Sequence, residues 1–127
     1  MSFQEEPSLP TRLLLIRHAQ TEWNIQRRFQ GHGDSPITEE GQEQLQRLKS
    51  RLAGVEFDVV YSSDLGRTME TSQMLSGKQM VEEPRLRERG VGILEGLNLE
   101  QIMADHAEAF RAFRSGDKDH QIEGGES

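Results

Sequence analysis

The chain has 127 residues, of which 33% are hydrophobic, and its net charge of −7 comes from 22 acidic and 15 basic side chains. This length predicts one domain, and the acidic balance argues against a general nucleic-acid binder, which would carry a basic stripe. The sequence has no cysteine, which excludes disulfides and thiolate catalysis. Without an apolar run of roughly 18 residues or a signal-peptide pattern, we expect a soluble cytoplasmic protein that does not bind membranes.

The sequence of the N-terminal part predicts a tail, a strand and a loop, in that order. Residues 1–11 are polar and end near a proline, which predicts a disordered or extended tail. Residues 12–17 contain four consecutive aliphatic side chains, a pattern typical of a strand covered on both faces. Residues 19–36 contain glycines and a proline and predict a loop.

A helix is predicted after this loop. Thr38 is a typical N-cap residue, two glutamates follow it in the first turn, and Gly54 ends the pattern. Between them apolar side chains recur at helical spacing, namely Leu45, Leu48 and Leu52.

The middle of the chain predicts a strand, a short helix and a second strand. Residues 57–61 are β-branched and aromatic, which favours a strand. Met69 and Leu75 suggest a short helix, and residues 79–83 predict a weaker strand. Strands that alternate with helices indicate a parallel sheet of an α/β domain, which we place at residues 12–127.

The last third predicts a loop over residues 85–96, then a helix, then a polar glycine-rich segment over residues 115–127. Asn98 and Gln101 have the spacing of a capping box. The apolar residues that follow are expected on one helix face, namely Leu99, Ile102, Met103, Phe110 and Phe113.

Reactive side chains follow the predicted strands, and the carboxyl ends of parallel strands meet at one edge of a sheet. An imidazole such as that of His18 is a competent nucleophile near neutral pH. Arg17 and Arg67 could bind phosphate oxygens and keep that imidazole neutral, and Glu88 could protonate a departing alkoxide. The sequence therefore predicts phosphoryl transfer through histidine.

Four motifs in a fixed order resemble those of the histidine phosphatase superfamily, also called phosphoglycerate mutase-like. They are RHAQTEWN at residues 17–24 with the QG and DSPITEEG that follow, YSSDLGRT at 61–68, LRE at 86–88 with EGL at 95–97, and GGES at 124–127. This resemblance implies a three-layer α/β/α sandwich with a mostly parallel sheet.

The resemblance also implies roles for individual residues. His18 would be the phosphorylated nucleophile and Glu88 the proton donor. The residues implied in phosphate or substrate binding are Arg17, Asn24, Gln30, Gly31 and Arg67. No metal and no cofactor are implied.

The sequence departs from the family where a second pocket histidine is expected after a later strand. Of the four histidines, only His18 follows an aliphatic run. We therefore expect a fold that is incomplete at the C-terminus, with bare apolar flanks along residues 12–17. Formation of a homo-oligomer or strand exchange would complete the sheet.

Simpler interpretations stay open for several residues. Glu88 lies between Arg87 and Arg89, so it could belong to an ordinary surface ion pair. His32 could be a substrate contact or a plain loop residue, and Gly124 and Gly125 could form a flexible end.

The function predicted from the sequence is hydrolysis of a small phosphorylated metabolite through a phosphohistidine intermediate. The first alternative is phosphoglycerate mutase-type phosphotransfer. The second is a phosphate-binding or interaction module that is catalytically impaired. The short segment between Glu88 and GGES favours hydrolysis over mutase chemistry.

Overall fold

The computed structural model describes residues 9–127. The tail predicted over residues 1–11 lies outside the described residues up to residue 8, and residues 9–11 are in neither a helix nor a strand. Within the described part, no helix is long and apolar enough to cross a bilayer. The α-helices and strands over residues 9–127 are α1 (Glu22–Ile25), α2 (Glu39–Leu52), β1 (Tyr61–Ser62), α3 (Gly66–Ser76), β2 (Val81–Glu82), α4 (Leu99–Asp105) and α5 (Ala107–Arg114). Two short 3₁₀ turns lie at Pro84–Leu86 and Gly92–Leu94.

The sheet is a parallel pair joined by a helix. β1 and β2 pair in parallel with Tyr61 opposite Val81, and α3 connects them. This βαβ unit confirms the predicted α/β class, although both strands are shorter than the predicted residues 57–61 and 79–83. Gly77 ends α3 in the left-handed conformation with φ 59°, which glycine adopts at little cost.

The strand predicted at residues 12–17 is not formed, which corrects the expectation of a buried strand. Leu13 is 82% exposed and Leu15 is 89% exposed. The reason is that the described sheet contains only β1 and β2, so no described segment forms a hydrogen-bonded ladder with this run. Its aliphatic side chains are bare on their flanks, as the sequence predicted for an incomplete sheet.

Helix α2 confirms its predicted start and end. The Thr38 hydroxyl accepts a hydrogen bond from the Gly41 amide at 3.0 Å, which satisfies one of the free donors at the helix start. Leu45 is 2% exposed, and α2 packs against α3. The loop predicted over residues 19–36 contains one turn of helix, α1, which the sequence analysis missed.

The main core lies between the loop after β2 and the C-terminal helices. Its buried members are Val91, Leu94, Ile102 and Ile122, and Phe29, Phe110 and Phe113 pack against them. The predicted capping box of Asn98 and Gln101 is present at the start of α4.

The apolar face predicted for one C-terminal helix is only partly correct. Leu99 and Met103, which lie on one face of α4, are about half exposed. The predicted single helix is also divided at His106 into α4 and α5. The polar segment over residues 115–127 contributes Ile122 to the core, so this segment is packed and is not merely a flexible end.

Candidate active site

His18 presents one ring nitrogen that is free to act as a nucleophile. Its Nδ1 lies 2.7 Å from the carbonyl oxygen of Ala19. Because a carbonyl only accepts hydrogen bonds, Nδ1 must carry the proton in this contact. The neutral ring then keeps the lone pair on Nε2, the nitrogen that can attack an electrophile.

The backbone after His18 is fixed to the helix that carries Arg67. The Ala19 amide donates to the Thr71 hydroxyl at 3.1 Å, and that hydroxyl donates to the Arg67 carbonyl at 2.7 Å. Ala19 and Thr71 are both buried. This chain of hydrogen bonds ties the backbone next to His18 to the first turn of α3.

Arg67 is a buried cation held by backbone oxygens. It is 2% exposed, and its guanidinium donates to the carbonyls of Gly33 at 2.6 Å and Gly31 at 2.8 Å. Asp34 lies 3.3 Å from Nη1 and offsets part of the charge. Among the described residues the Nε of Arg67 has no hydrogen-bond partner, and leaving such a donor unpaired costs about 1–3 kcal/mol.

Glu88 lies beside this cation and not in a pair with its neighbours. Its Oε2 is 3.5 Å from Nη2 of Arg67, and its side chain is 63% exposed. Arg87 pairs with Asp64, whereas Arg89 donates to backbone carbonyls. Within residues 9–127 the alternative of a surface pair between Glu88 and an adjacent arginine is therefore not observed.

Burial and the neighbouring positive charges together lower the pKa of His18 and favour its neutral form. Burial is the largest effect and lowers its pKa from the ordinary 6.5, while the hydrogen bond to Ala19 opposes this shift. The positive charges of Arg67 and Arg17 lower the pKa further, and the Glu88 carboxylate raises it. The net shift is downward, so the imidazole is available as a nucleophile at neutral pH.

The structure gives the other three predicted binding residues internal contacts. The Asn24 side-chain oxygen accepts from the Thr21 amide at 2.9 Å, and that of Gln30 accepts from the Thr21 hydroxyl at 2.9 Å. Gly31 offers its carbonyl to Arg67. These contacts hold the three residues within the loop before α2, and the predicted contact of all three with substrate stays a prediction.

Gly31 must remain without a side chain. Its φ is 54°, and an added Cβ would lie 2.7 Å from Oε1 of Glu95 and 2.9 Å from Val91. Either the left-handed backbone or the crowding would strain a larger residue. The carbonyl that holds Arg67 depends on this glycine.

Sequence reasoning missed three acidic side chains that bind neighbouring donors in these segments. Asp34 pairs with Arg67, and Glu95 accepts from the His32 amide at 3.0 Å. Glu126 accepts from the Gly90 amide at 2.7 Å, and its Oε2 lies 3.4 Å from Nε2 of His32. All three lie inside the quoted motifs, which was the signal that could have revealed them.

In the part of the chain that the structure describes, no group of three or more His, Asp or Glu side chains could hold a metal ion. An open depression of about 320 Å³ beside Arg67 is bordered by Asp34 and Glu70. These two carboxylates disfavour the binding of an anion on that side of Arg67.

A comparison of the sequence with known families finds one match. The family model for the histidine phosphatase superfamily (branch 1) matches residues 13–127. The chain belongs to this superfamily. The resemblance and the phosphoglycerate mutase-like α/β fold predicted from the motifs are thereby confirmed.

Relatives within this superfamily include mutases and phosphatases. A probable phosphoglycerate mutase GpmB of Escherichia fergusonii is 37% identical over 116 residues, which cover 89% of this chain and 54% of the relative. A putative alpha-ribazole-5'-P phosphatase of Escherichia coli is 33% identical with a TM-score of 0.77, covering 88% of this chain and 57% of that one. A mycobacterial glucosyl-3-phosphoglycerate phosphatase, solved as a complex with VO3, is 34% identical with a TM-score of 0.74, covering 87% and 56%. The chain spans about half the length of these histidine phosphatase relatives.

Proposed function

We propose that the protein hydrolyses small phosphomonoesters through a phosphohistidine at His18. The observation that carries the proposal is the His18 ring, whose Nδ1 lies 2.7 Å from the Ala19 carbonyl and whose pKa is lowered by burial and by the positive charge of Arg67, with the Glu88 carboxyl group 3.5 Å from Arg67. Nucleophile, anion-binding charge and proton donor are the three groups that this reaction needs.

In the first step Nε2 of His18 attacks phosphorus, and the bond from phosphorus to the ester oxygen breaks. Glu88 in its protonated form gives its proton to that oxygen, so the alcohol leaves neutral. In the second step water attacks phosphorus and the bond to Nε2 breaks. Glu88 as carboxylate takes the proton of the attacking water, and inorganic phosphate leaves.

The substrate-binding groups are those expected from the motifs. Arg67 and Arg17 would neutralise the two negative charges of a phosphomonoester. Asn24, Gln30 and Gly31 would bind near the ester and complete the pocket. Selectivity among phosphorylated metabolites would come from residues beyond this shared set.

Two alternatives are each supported by an observation. Relatives named as probable phosphoglycerate mutases favour phosphotransfer between hydroxyl groups, with a bisphosphate that is required or retained. The aliphatic segment before His18, which is exposed and has no ladder among the described residues, favours a module that binds phosphate but turns over slowly. A hydrolase differs from both by releasing inorganic phosphate over many cycles.

We also propose a partner for the bare aliphatic segment at residues 12–17. The exposure of Leu13 and Leu15 supports a second copy of this chain or a strand exchange that completes the sheet. A small phosphorylated metabolite or inorganic phosphate is the other proposed partner, and the cytoplasm is the proposed compartment.

Trapping of the covalent intermediate tests the proposal. Wild type and His18→Ala would be mixed with p-nitrophenyl phosphate, quenched, and measured by intact mass, with His106→Gln as the matched histidine control. We expect phosphate on wild type and on the control, and none on His18→Ala. Native mass measured in the same samples reports whether the chain is a monomer or a dimer.

The outcomes separate the candidate functions. Steady release of inorganic phosphate supports the hydrolase, whereas transfer that depends on a bisphosphate without net release supports the mutase. Phosphate binding in wild type without any label on His18 would refute both enzymatic candidates and support the binding module.

A further inference from the structure

Glu88 has little contact of its own to hold it in place. Its side chain is 63% exposed, and its charged contact among the described residues is the 3.5 Å approach to Arg67. It stands in an irregular segment after the turn Pro84–Leu86. A proton donor must lie within hydrogen-bond reach of the leaving oxygen, so its position needs support from elsewhere.

That support is available from Arg87, the residue before Glu88. The Arg87 guanidinium binds both carboxylate oxygens of Asp64, with Nε 2.6 Å from Oδ1 and Nη2 in contact with Oδ2. A bidentate pair of this kind fixes both distance and orientation. Arg87 also lowers the pKa of Asp64, so the carboxylate stays charged.

The two contacts join the same two segments of the chain. Asp64 lies in the loop that leads into α3, and Arg67 lies in the first turn of α3. Arg87 and Glu88 are adjacent on the opposite segment. The Asp64–Arg87 pair therefore acts as a cross-link next to the approach of Glu88 to Arg67.

Arg89 holds the other side of Glu88. Its guanidinium donates to the carbonyl of Glu126 at 3.0 and 3.1 Å and to that of His120 at 3.3 Å. It also lies 4.9 Å above the ring of Phe113, a cation–π contact. The backbone is thus anchored immediately before and immediately after the carboxyl group.

We infer that Arg87 is a positioning residue, which through its bidentate pair with Asp64 sets the distance of Glu88 from Arg67 and from the leaving oxygen. The catalytic consequence rests on the proposed function, in which Glu88 protonates the leaving group. The placement itself can be measured without any turnover.

The test compares Arg87→Ala and Asp64→Asn with a matched control, Arg85→Ala. Arg85 also forms a bidentate pair, with Glu83 at 2.7 and 2.8 Å, but that pair is local and does not reach the segment of Arg67. Each variant would be assayed in a single turnover for phosphate on His18. One donor would be p-nitrophenyl phosphate, whose leaving group needs no proton, and the other an alkyl phosphate, whose leaving group does.

We expect Arg87→Ala and Asp64→Asn to slow labelling by the alkyl phosphate by about 10- to 100-fold, the range for a displaced catalytic group. Labelling by p-nitrophenyl phosphate should stay within about twofold, and Arg85→Ala should resemble wild type with both donors. The double variant should be no slower than either single variant, since both remove one pair. Equal slowing with both donors would mean a general loss of structure and would overturn the inference.

An NMR titration of His18 gives a readout that does not depend on activity. The Glu88 carboxylate raises the His18 pKa, so Arg87→Ala should lower that pKa as Glu88→Gln does. Loss of the positive charge of Arg87 alone would raise the His18 pKa. A lowered pKa in Arg87→Ala therefore identifies displacement of Glu88. An unchanged or raised His18 pKa in Arg87→Ala would overturn the inference, even if the wild-type protein is never phosphorylated. Absence of phosphate on wild-type His18 would refute only the proposed function.

Discussion

Two apolar regions of this molecule differ sharply in how they are covered. The segment before His18 exposes Leu13 and Leu15 at 82% and 89%, whereas Leu94 and Ile102 in the main core are fully buried. Both regions are built from aliphatic side chains of the same kind. The difference therefore lies in the partners that the described chain supplies and not in the hydrophobicity of the residues.

The same contrast in packing separates the candidate site residues into two groups. Arg67 and Glu88 stand on segments cross-linked to each other and to the core. His18 is fixed on its C-terminal side through Ala19 and Thr71, but the segment on its N-terminal side has no ladder among the described residues. His18 thus lies at the boundary between a well-packed region and a segment that has no ladder among the described residues.

The largest expected effect comes from removing the same side chain in each region. Leu94→Ala creates a cavity in the core and should lower the free energy of unfolding by about 2–5 kcal/mol. Leu15→Ala removes an exposed side chain and should change it by less than about 0.5 kcal/mol. Urea unfolding of both variants measures the contrast. A cost for Leu15→Ala close to that for Leu94→Ala would mean that residues 12–17 are covered in solution, as the proposed second copy would require.

A smaller effect is expected from two glycines with similar backbones. Gly92 and Gly54 both have positive φ, at 49° and 85°, but an added Cβ at Gly92 meets the Glu123 carbonyl and the Gly125 amide, while at Gly54 it meets nothing within 4 Å. Alanine at Gly54 should cost about 1 kcal/mol for the left-handed conformation. Alanine at Gly92 should cost about 1–3 kcal/mol more because it crowds backbone atoms. Thermal unfolding of the two variants isolates this crowding, and equal costs would show that the 120–126 segment is not held against Gly92.

Local sequence patterns predicted much of this fold, because the interactions behind them join residues that are only a few positions apart in the chain. The caps at Thr38 and Asn98 need only a side chain and an amide three positions later, and both are where the sequence placed them. The parallel pairing of β1 with β2 followed from the alternation of strand and helix. The break at His106 and the burial of Ile122 depend on distant packing, which no local pattern reports.

The sequence predicted which side chains would interact at the candidate site but not which groups would hold them in place. Glu88 lies 3.5 Å from Arg67, and the charges of both act on the pKa of His18, whereas the catalytic roles of the three residues stay predictions. The partners of these groups are mostly backbone carbonyls, such as that of Ala19 for His18 and that of Gly31 for Arg67. Every residue has a backbone carbonyl, so the residue types do not reveal which carbonyls accept hydrogen bonds from the site residues.

The smallest expected effect tests the charge that the bare segment contributes to the site. Arg17 is exposed at the end of residues 12–17 and lowers the His18 pKa through its positive charge. Arg17→Gln should therefore raise this pKa toward its ordinary 6.5. The acid limb of phosphorylation should move to higher pH with it, because protonated imidazole cannot attack phosphorus.

The matched control is Arg12→Gln, which makes the same charge change at an exposed position that is not among the groups shifting the His18 pKa. A proton NMR titration of the His18 ring in both variants measures the difference. A shift in Arg17→Gln alone would show that the segment over residues 12–17 still holds Arg17 close to His18. If neither variant shifts the pKa of His18, residues 12–17 do not keep Arg17 near His18. The exposed apolar segment would then contribute neither packing nor charge to the candidate site.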